Sequence, residues 1–128
     1  MDMLISDETV LMESEPIPGW EPNDIKEWYG LHHTEAGLAQ AFAAVSNKFF
    51  WVEDNEYDYE EGTPEHQEAC RITDAWAELM DNLQEEIFTI LRSEGVIIPE
   101  AGQITVLIPF MERNGFSDRN GWWVAEDQ

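Results

Sequence analysis

The stretch from Thr63 to Gly95, TPEHQEACRITDAWAELMDNLQEEIFTILRSEG, decides the fold, because cap, periodicity and terminator agree on one long helix over about 64–94. Thr63 is a good N-cap, Pro64 fits the first helical position, and Glu65 and Glu68 put negative charge at the positive end of the dipole. Ala69, Ile72, Trp76, Leu79, Leu83, Ile87 and Ile90 recur at steps of three and four, with Met80 and Leu91 widening the stripe. That face has to be covered. Roughly opposite lie Arg71, Asp74, Glu78, Asp81, Glu85 and Arg92, the pattern of a solvated back. Gly95 suits the residue after the last turn, and Pro99 blocks a restart. At 1.5 Å per residue the helix would span about 45 Å, so it needs partners along its length.

The partner lies upstream. Thr34 opens a second helix over about 35–51, with Leu38, Phe42, Val45, Phe49 and Val52 at four-three spacing. Between Ala36 and Val52 its only charged residue is Lys48, so its other faces should also be covered. Ala36, Ala39, Ala43 and Ser46 form a small-residue line that another backbone could approach, from this chain or, as the second option, from a second copy in a homodimer.

Between the two helices runs Glu53-Asp54-Asn55-Glu56-Tyr57-Asp58-Tyr59-Glu60-Glu61-Gly62, dense in acids and without a base. The spacing of Asp54, Glu56, Asp58, Glu60 and Glu65 superficially matches a calcium loop, but Tyr59 stands where such a loop needs Gly for its sharp bend. A solvated connector, or a contact surface with area from Tyr57 and Tyr59 and charge from the acids, fits better.

Toward the N-terminus, Met1 to Glu15 mixes apolar residues with acids and reads as an arm or ragged strand. Glu15-Pro16-Ile17-Pro18-Gly19-Trp20-Glu21-Pro22 reads as an extended connector, since residues before proline are pushed from the α region. Asn23 is placed to cap a short helix from Asp24 to about Gly30. Toward the C-terminus, Val96-Ile97-Ile98 reads as an extended segment on the core. Gln103 to Asn114 fits helix or strand, with helix preferred, and Pro109 would kink or restart it. Asn114-Gly115 and Asn120-Gly121 are turn dipeptides, and Trp122 to Val124 is expected to pair with Val96 to Ile98 as a two-stranded ribbon. The expected architecture is therefore mainly α: one domain over 1–128, a small helical bundle around the long helix, with an extended arm and connector over 1–22 and a minor β ribbon.

Six Trp, six Phe and three Tyr furnish a core and argue against disorder. No run of about 18 apolar residues and no basic-then-apolar start is present, so no membrane span or secretory signal is expected and a cytoplasmic location is the default. The dominant property is charge. Twenty-eight Asp and Glu against six Lys and Arg leave a net charge of −22, which disfavours direct binding to nucleic acid or anionic membrane and favours basic partners.

Motifs for catalysis are lacking: there is no nucleophile elbow, phosphate-cradling loop or dinucleotide fingerprint, and no cofactor is called for. Paired carboxylates carry no information in so acidic a chain. Cys70 reads as a small, partly buried filler, with only Arg71 nearby to lower its pKa. His32 and His33 precede the second helix, whereas His66 opens the long one, a helix length away if the two are antiparallel, which argues against a joint site. The leading expectation is a non-enzymatic domain that binds a basic protein, with nucleic-acid imitation as one form. Its surface would comprise Asp54, Glu56, Tyr57, Asp58, Tyr59, Glu60 and Glu61 of the connector and Asp74, Glu78, Asp81 and Glu85 of the long helix. The alternatives are a metal-binding protein or metal-dependent hydrolase using His66 and nearby acids, and a structural homodimeric subunit. Trp20, Trp122 and Trp123 read as core residues before binding anchors.

Overall fold

The computed structural model describes residues 15–119 and 122–125. The N-terminal arm expected over 1–14 and the Asn120-Gly121 turn lie outside them. Among the described residues the chain is mainly helical, in the order α1 (Pro22–Leu31), α2 (Glu35–Glu56), α3 (Pro64–Ser93) and α4 (Ile104–Arg113), then strands β1 (Phe116–Arg119) and β2 (Trp122–Ala125).

The long helix α3 forms as its sequence dictates. The Thr63 hydroxyl accepts a hydrogen bond from the His66 N–H at 3.2 Å, and Pro64 stands in the first turn. At the other end Gly95 takes φ +88°, which only glycine adopts freely. Its N–H bonds to the Arg92 carbonyl and that of Val96 to the Leu91 carbonyl, so two terminal carbonyls of the helix are satisfied. Trp76, Leu79, Leu83, Ile87 and Leu91 are buried, as the stripe requires. Phe88 and Thr73 are buried too, off that stripe.

Helix α2 packs antiparallel against α3 and forms the centre of the molecule. The Thr34 hydroxyl caps it, accepting from the Gly37 N–H at 2.9 Å. Every residue from Gly37 to Lys48 is buried within the single chain, including Ala39, Ala43 and Ser46 of the small-residue line. Only Ala36 of that line is exposed. The helix runs five residues beyond the expected end, to Glu56. No Gly or Pro intervenes before Gly62, and the extra turn gains packing on α3. Glu53 to Glu56 are therefore helical, and the connector shortens to 57–63.

Helix α1 packs on both α2 and α3. It starts two residues earlier than its sequence suggests: Pro22 is the first helical residue, and the Asp24 carboxylate accepts from the Glu21 N–H at 2.7 Å, so Glu21 rather than Asn23 holds the cap position. Ahead of it the proline-punctuated segment is a turn, not an extended connector. Ile17 takes φ +36°, its carbonyl accepts from the Trp20 N–H, and its side chain is buried. Burial of that side chain offsets the local backbone cost, on the order of 1–3 kcal/mol. Lys48, buried at mid-height in α2, holds the segment by donating to Glu15 and to the Pro16 carbonyl.

Residues 104–113 are helical, and the helix passes through Pro109 as one element without a restart. The ribbon differs from expectation in its partner. Strand β2 pairs antiparallel with β1, Phe116 opposite Ala125 and Arg119 opposite Trp122, and not with Val96 to Ile98. A partner two residues away in sequence closes a far shorter loop, and the loop entropy favours it. Val96 and Ile98 instead pack half-buried on the core with Ile97 turned to solvent. The other edge of β2 lies on α2. The Asn47 side chain donates to the Trp123 carbonyl at 2.8 Å and accepts from the Trp123 N–H at 2.9 Å, so a side-chain amide stands in for a third strand. Near the opposite end of the helix pair, Arg113 bonds Glu35 and Glu94 together, joining the start of α2, the end of α3 and the end of α4.

Candidate functional site

Two features of α3 bear on function, and they adjoin. The first is the acid row. Asp74, Glu78, Asp81 and Glu85 follow at steps of four, three and four, which stacks them on one face of a helix. All four are exposed. The row spans about 16 Å. Arg92, whose guanidinium donates to Glu85 at 2.9 Å, terminates it.

In the connector, Tyr57, Asp58, Tyr59, Glu60 and Glu61 are exposed, with Tyr57 at 79%. Asp54 is exposed on the last turns of α2. Glu56 is the exception among the expected surface residues: it is half-buried and turned toward Cys70. The two acidic stretches meet at that point, since the charges of Glu61 and Asp74 both act on the Cys70 thiol. Among the described residues at least four of the six cationic side chains are held in ion pairs, namely Lys48, Arg71, Arg92 and Arg113.

The second feature is the meeting of Glu56, His66 and Cys70. His66 and Cys70 stand one turn apart on α3, and the extra turn of α2 carries Glu56 across to them. The Cys70 thiol donates to Glu56 Oε1 at 3.0 Å. Its sulfur lies 3.8 Å from His66 Nδ1 and 3.7 Å from Nε2. The bond to Glu56 is the main reason the thiol pKa is pushed up to about 11, with burial and the charges of Glu56, Asp74 and Glu61 acting the same way. A thiol so placed is not a ready nucleophile. This is the only group of three side chains with metal-ligating chemistry that converges among the described residues. Asp54 and Glu56 lie in a helix rather than a loop, which removes the calcium-loop arrangement.

Sequence reasoning had placed His66 near acids but had assigned Glu56 to the connector. His66 and Cys70 at i and i+4 are visible in the sequence, but as an unpaired thiol beside one histidine; the third member, Glu56, needed the true end of α2. His32 and His33 are engaged elsewhere. His32 stacks on Trp28 at 4.1 Å and bonds its carbonyl, while His33 leans on the Tyr29 ring.

A groove of about 1110 Å³ lies between the turn at 15–22, the end of α2 and the start of α3. Trp51, Val52, Ile72, Trp76 and Leu79 are among its lining residues, yet its walls carry Lys26, Lys48 and Arg71 beside the acids. Mixed charge makes it a poorer seat for a basic partner than the outer face of the acid row, of which Glu78 also lines the groove. Of the tryptophans, Trp123 is buried and Trp20 and Trp122 are half-buried, so core use prevails. No described helix is long and apolar enough to cross a membrane. Comparison with protein-family models, with curated proteins and with solved structures finds no match.

Proposed function

We propose that this chain is a non-enzymatic, cytoplasmic protein-binding domain that engages a basic partner through the acid row of α3 and the adjoining connector. The carrying observation is that Asp74, Glu78 and Asp81 are exposed with no ion pair to a cation among the described residues, although most of the chain's few cations are paired with other carboxylates. Unmatched like charges on one face raise the local potential and draw a complementary surface, chiefly by speeding encounter and excluding wrong partners. Tyr57 and Tyr59 add exposed aromatic area beside the charge, the residue type enriched where partners bury surface.

The spacing supports a basic protein more than close imitation of duplex DNA. Four acids over about 16 Å place one charge per 4–5 Å, whereas a duplex carries one per about 1.7 Å of axis.

The test is a comparison of two variants with equal charge change. Asp74→Asn, Glu78→Gln, Asp81→Asn and Glu85→Gln together should abolish capture of a partner that the wild type retains at low salt and releases as salt rises. Neutralising Asp24, Glu27, Glu100 and Glu112 instead should leave capture intact. Equal loss from both sets would show a diffuse charge effect and defeat the proposal.

A further inference from the structure

We propose that Glu56, His66 and Cys70 form a binding site for a single zinc-class divalent cation, clamping the connector end of the α2/α3 hairpin. A thiolate, an imidazole and a carboxylate are the three side-chain donors zinc takes, and three protein ligands with an open fourth position is a recurring zinc arrangement. Calcium and magnesium, which want oxygen alone, are disfavoured by the sulfur.

Distance comes next. Zinc bonds of about 2.3 Å to sulfur and 2.0–2.2 Å to nitrogen and oxygen set edges of about 3.5 Å between ligands in a tetrahedron. The sulfur here is 3.0 Å from Glu56 Oε1 and 3.7 Å from His66 Nε2, and the ligand atoms all lie within 4.8 Å of one another. The two edges at sulfur are already close to that length, and side-chain rotation of Glu56 and His66 would bring the third onto one ion. Because both ring nitrogens are nearly equidistant from the sulfur, a turn of the His66 ring selects which one binds. The thiol proton that now bonds Glu56 would leave to solvent as the sulfur binds the metal.

Local electrostatics supply an independent reason. Helix α2 ends in Glu53, Asp54 and Glu56 with no basic residue in its last turn, so carboxylates crowd the negative end of its dipole. Glu61 and Asp74 add charge around the same point, and Arg71, the nearest cation in sequence, is bonded to Glu68. A divalent cation would relieve all of these at once. The three side chains are half-buried, which shields an ion from water while leaving it a way in.

This inference does not depend on the protein-binding reading, since it concerns the end of the acid row and a different ligand. The probe is cobalt added to the full-length, untagged protein, followed by zinc. Ligation by Cys70 should produce a sulfur-to-cobalt charge-transfer absorption at one ion per chain, and zinc should displace it. Cys70→Ser should remove the band, and His66→Gln should weaken binding about tenfold or more. Asp81→Asn, further along the row, should leave it unchanged. Zinc should raise the thermal midpoint of the wild type and not of Cys70→Ser. Absence of the band in wild type, or equal zinc affinity for wild type and Cys70→Ser, would overturn the site and leave only diffuse attraction to acids.

Discussion

Replacing Asn47 tests whether a side-chain amide holds the β ribbon to the helices. Asn47→Ala removes two hydrogen bonds, of 2.8 and 2.9 Å, and strands both the N–H and the C=O of Trp123. Both groups belong to a residue only 3% exposed, and Asn47 itself is fully buried. A buried polar group left without a partner costs about 1–3 kcal/mol, so the pair costs about 2–6 kcal/mol before any cavity is counted. Against a total stability of about 5–15 kcal/mol that is a large fraction. The measurement is urea unfolding followed by far-UV circular dichroism and tryptophan fluorescence.

A second variant separates hydrogen bonding from packing. Asn47→Leu keeps the branched heavy-atom shape of the side chain but satisfies neither group, so it should be about as harmful as alanine. If Asn47→Ala costs less than about 1 kcal/mol, or leucine restores wild-type stability, the amide is filling space and the reasoning is wrong.

Three further substitutions, at Gly37, Gly30 and Arg113, have definite expected outcomes. A Cβ at Gly37 would lie 1.8 Å from the His32 carbonyl oxygen, which is backbone and cannot swing away, so Gly37→Ala should lower the thermal midpoint sharply. At Gly30, in α1 with nothing within 4 Å of the added carbon, alanine should instead stabilise by about 0.5–1 kcal/mol. The Arg113 guanidinium, and secondarily the Asn114 amide, hold the Glu35 carboxyl below its usual range. The pKa is depressed by folding, so its contribution is present above the unfolded value and is lost as pH falls through the folded one. Arg113→Gln should therefore cost about 1–2 kcal/mol near neutrality, modest because the groups are partly exposed, and its gap from wild type should narrow in acid. A gap constant from neutral to acid pH would refute that assignment.

The outcome of the fold was legible wherever a local signal sufficed. Thr63, Pro64 and Gly95 bound α3 because caps and breakers act within one turn, and the stripe from Ile72 to Ile90 declared its buried face through a period set by backbone geometry alone. The near-absence of charge from Ala36 to Val52, where only Lys48 is charged, likewise announced that α2 is central. Local signals failed where competing partners decide. Glu53 to Glu56 look like a polar connector until α3 offers them a surface, and Trp122 to Val124 could join any strand until the shorter loop favours β1. Asn47 and Lys48 gave no sign of burial, because their polarity is satisfied only by groups distant in sequence, at Trp123 and at 15–16.

The candidate site divides in the same way. By itself the sequence determined the acid row, since Asp74, Glu78, Asp81 and Glu85 share a face by helical period, and it determined the net charge that makes the row matter. Only the tertiary structure decided that Glu56 turns from that surface to meet His66 and Cys70. The meeting depends on where α2 ends and how the hairpin closes, and contacts across a hairpin are set by packing rather than by the residues on either side of each ligand.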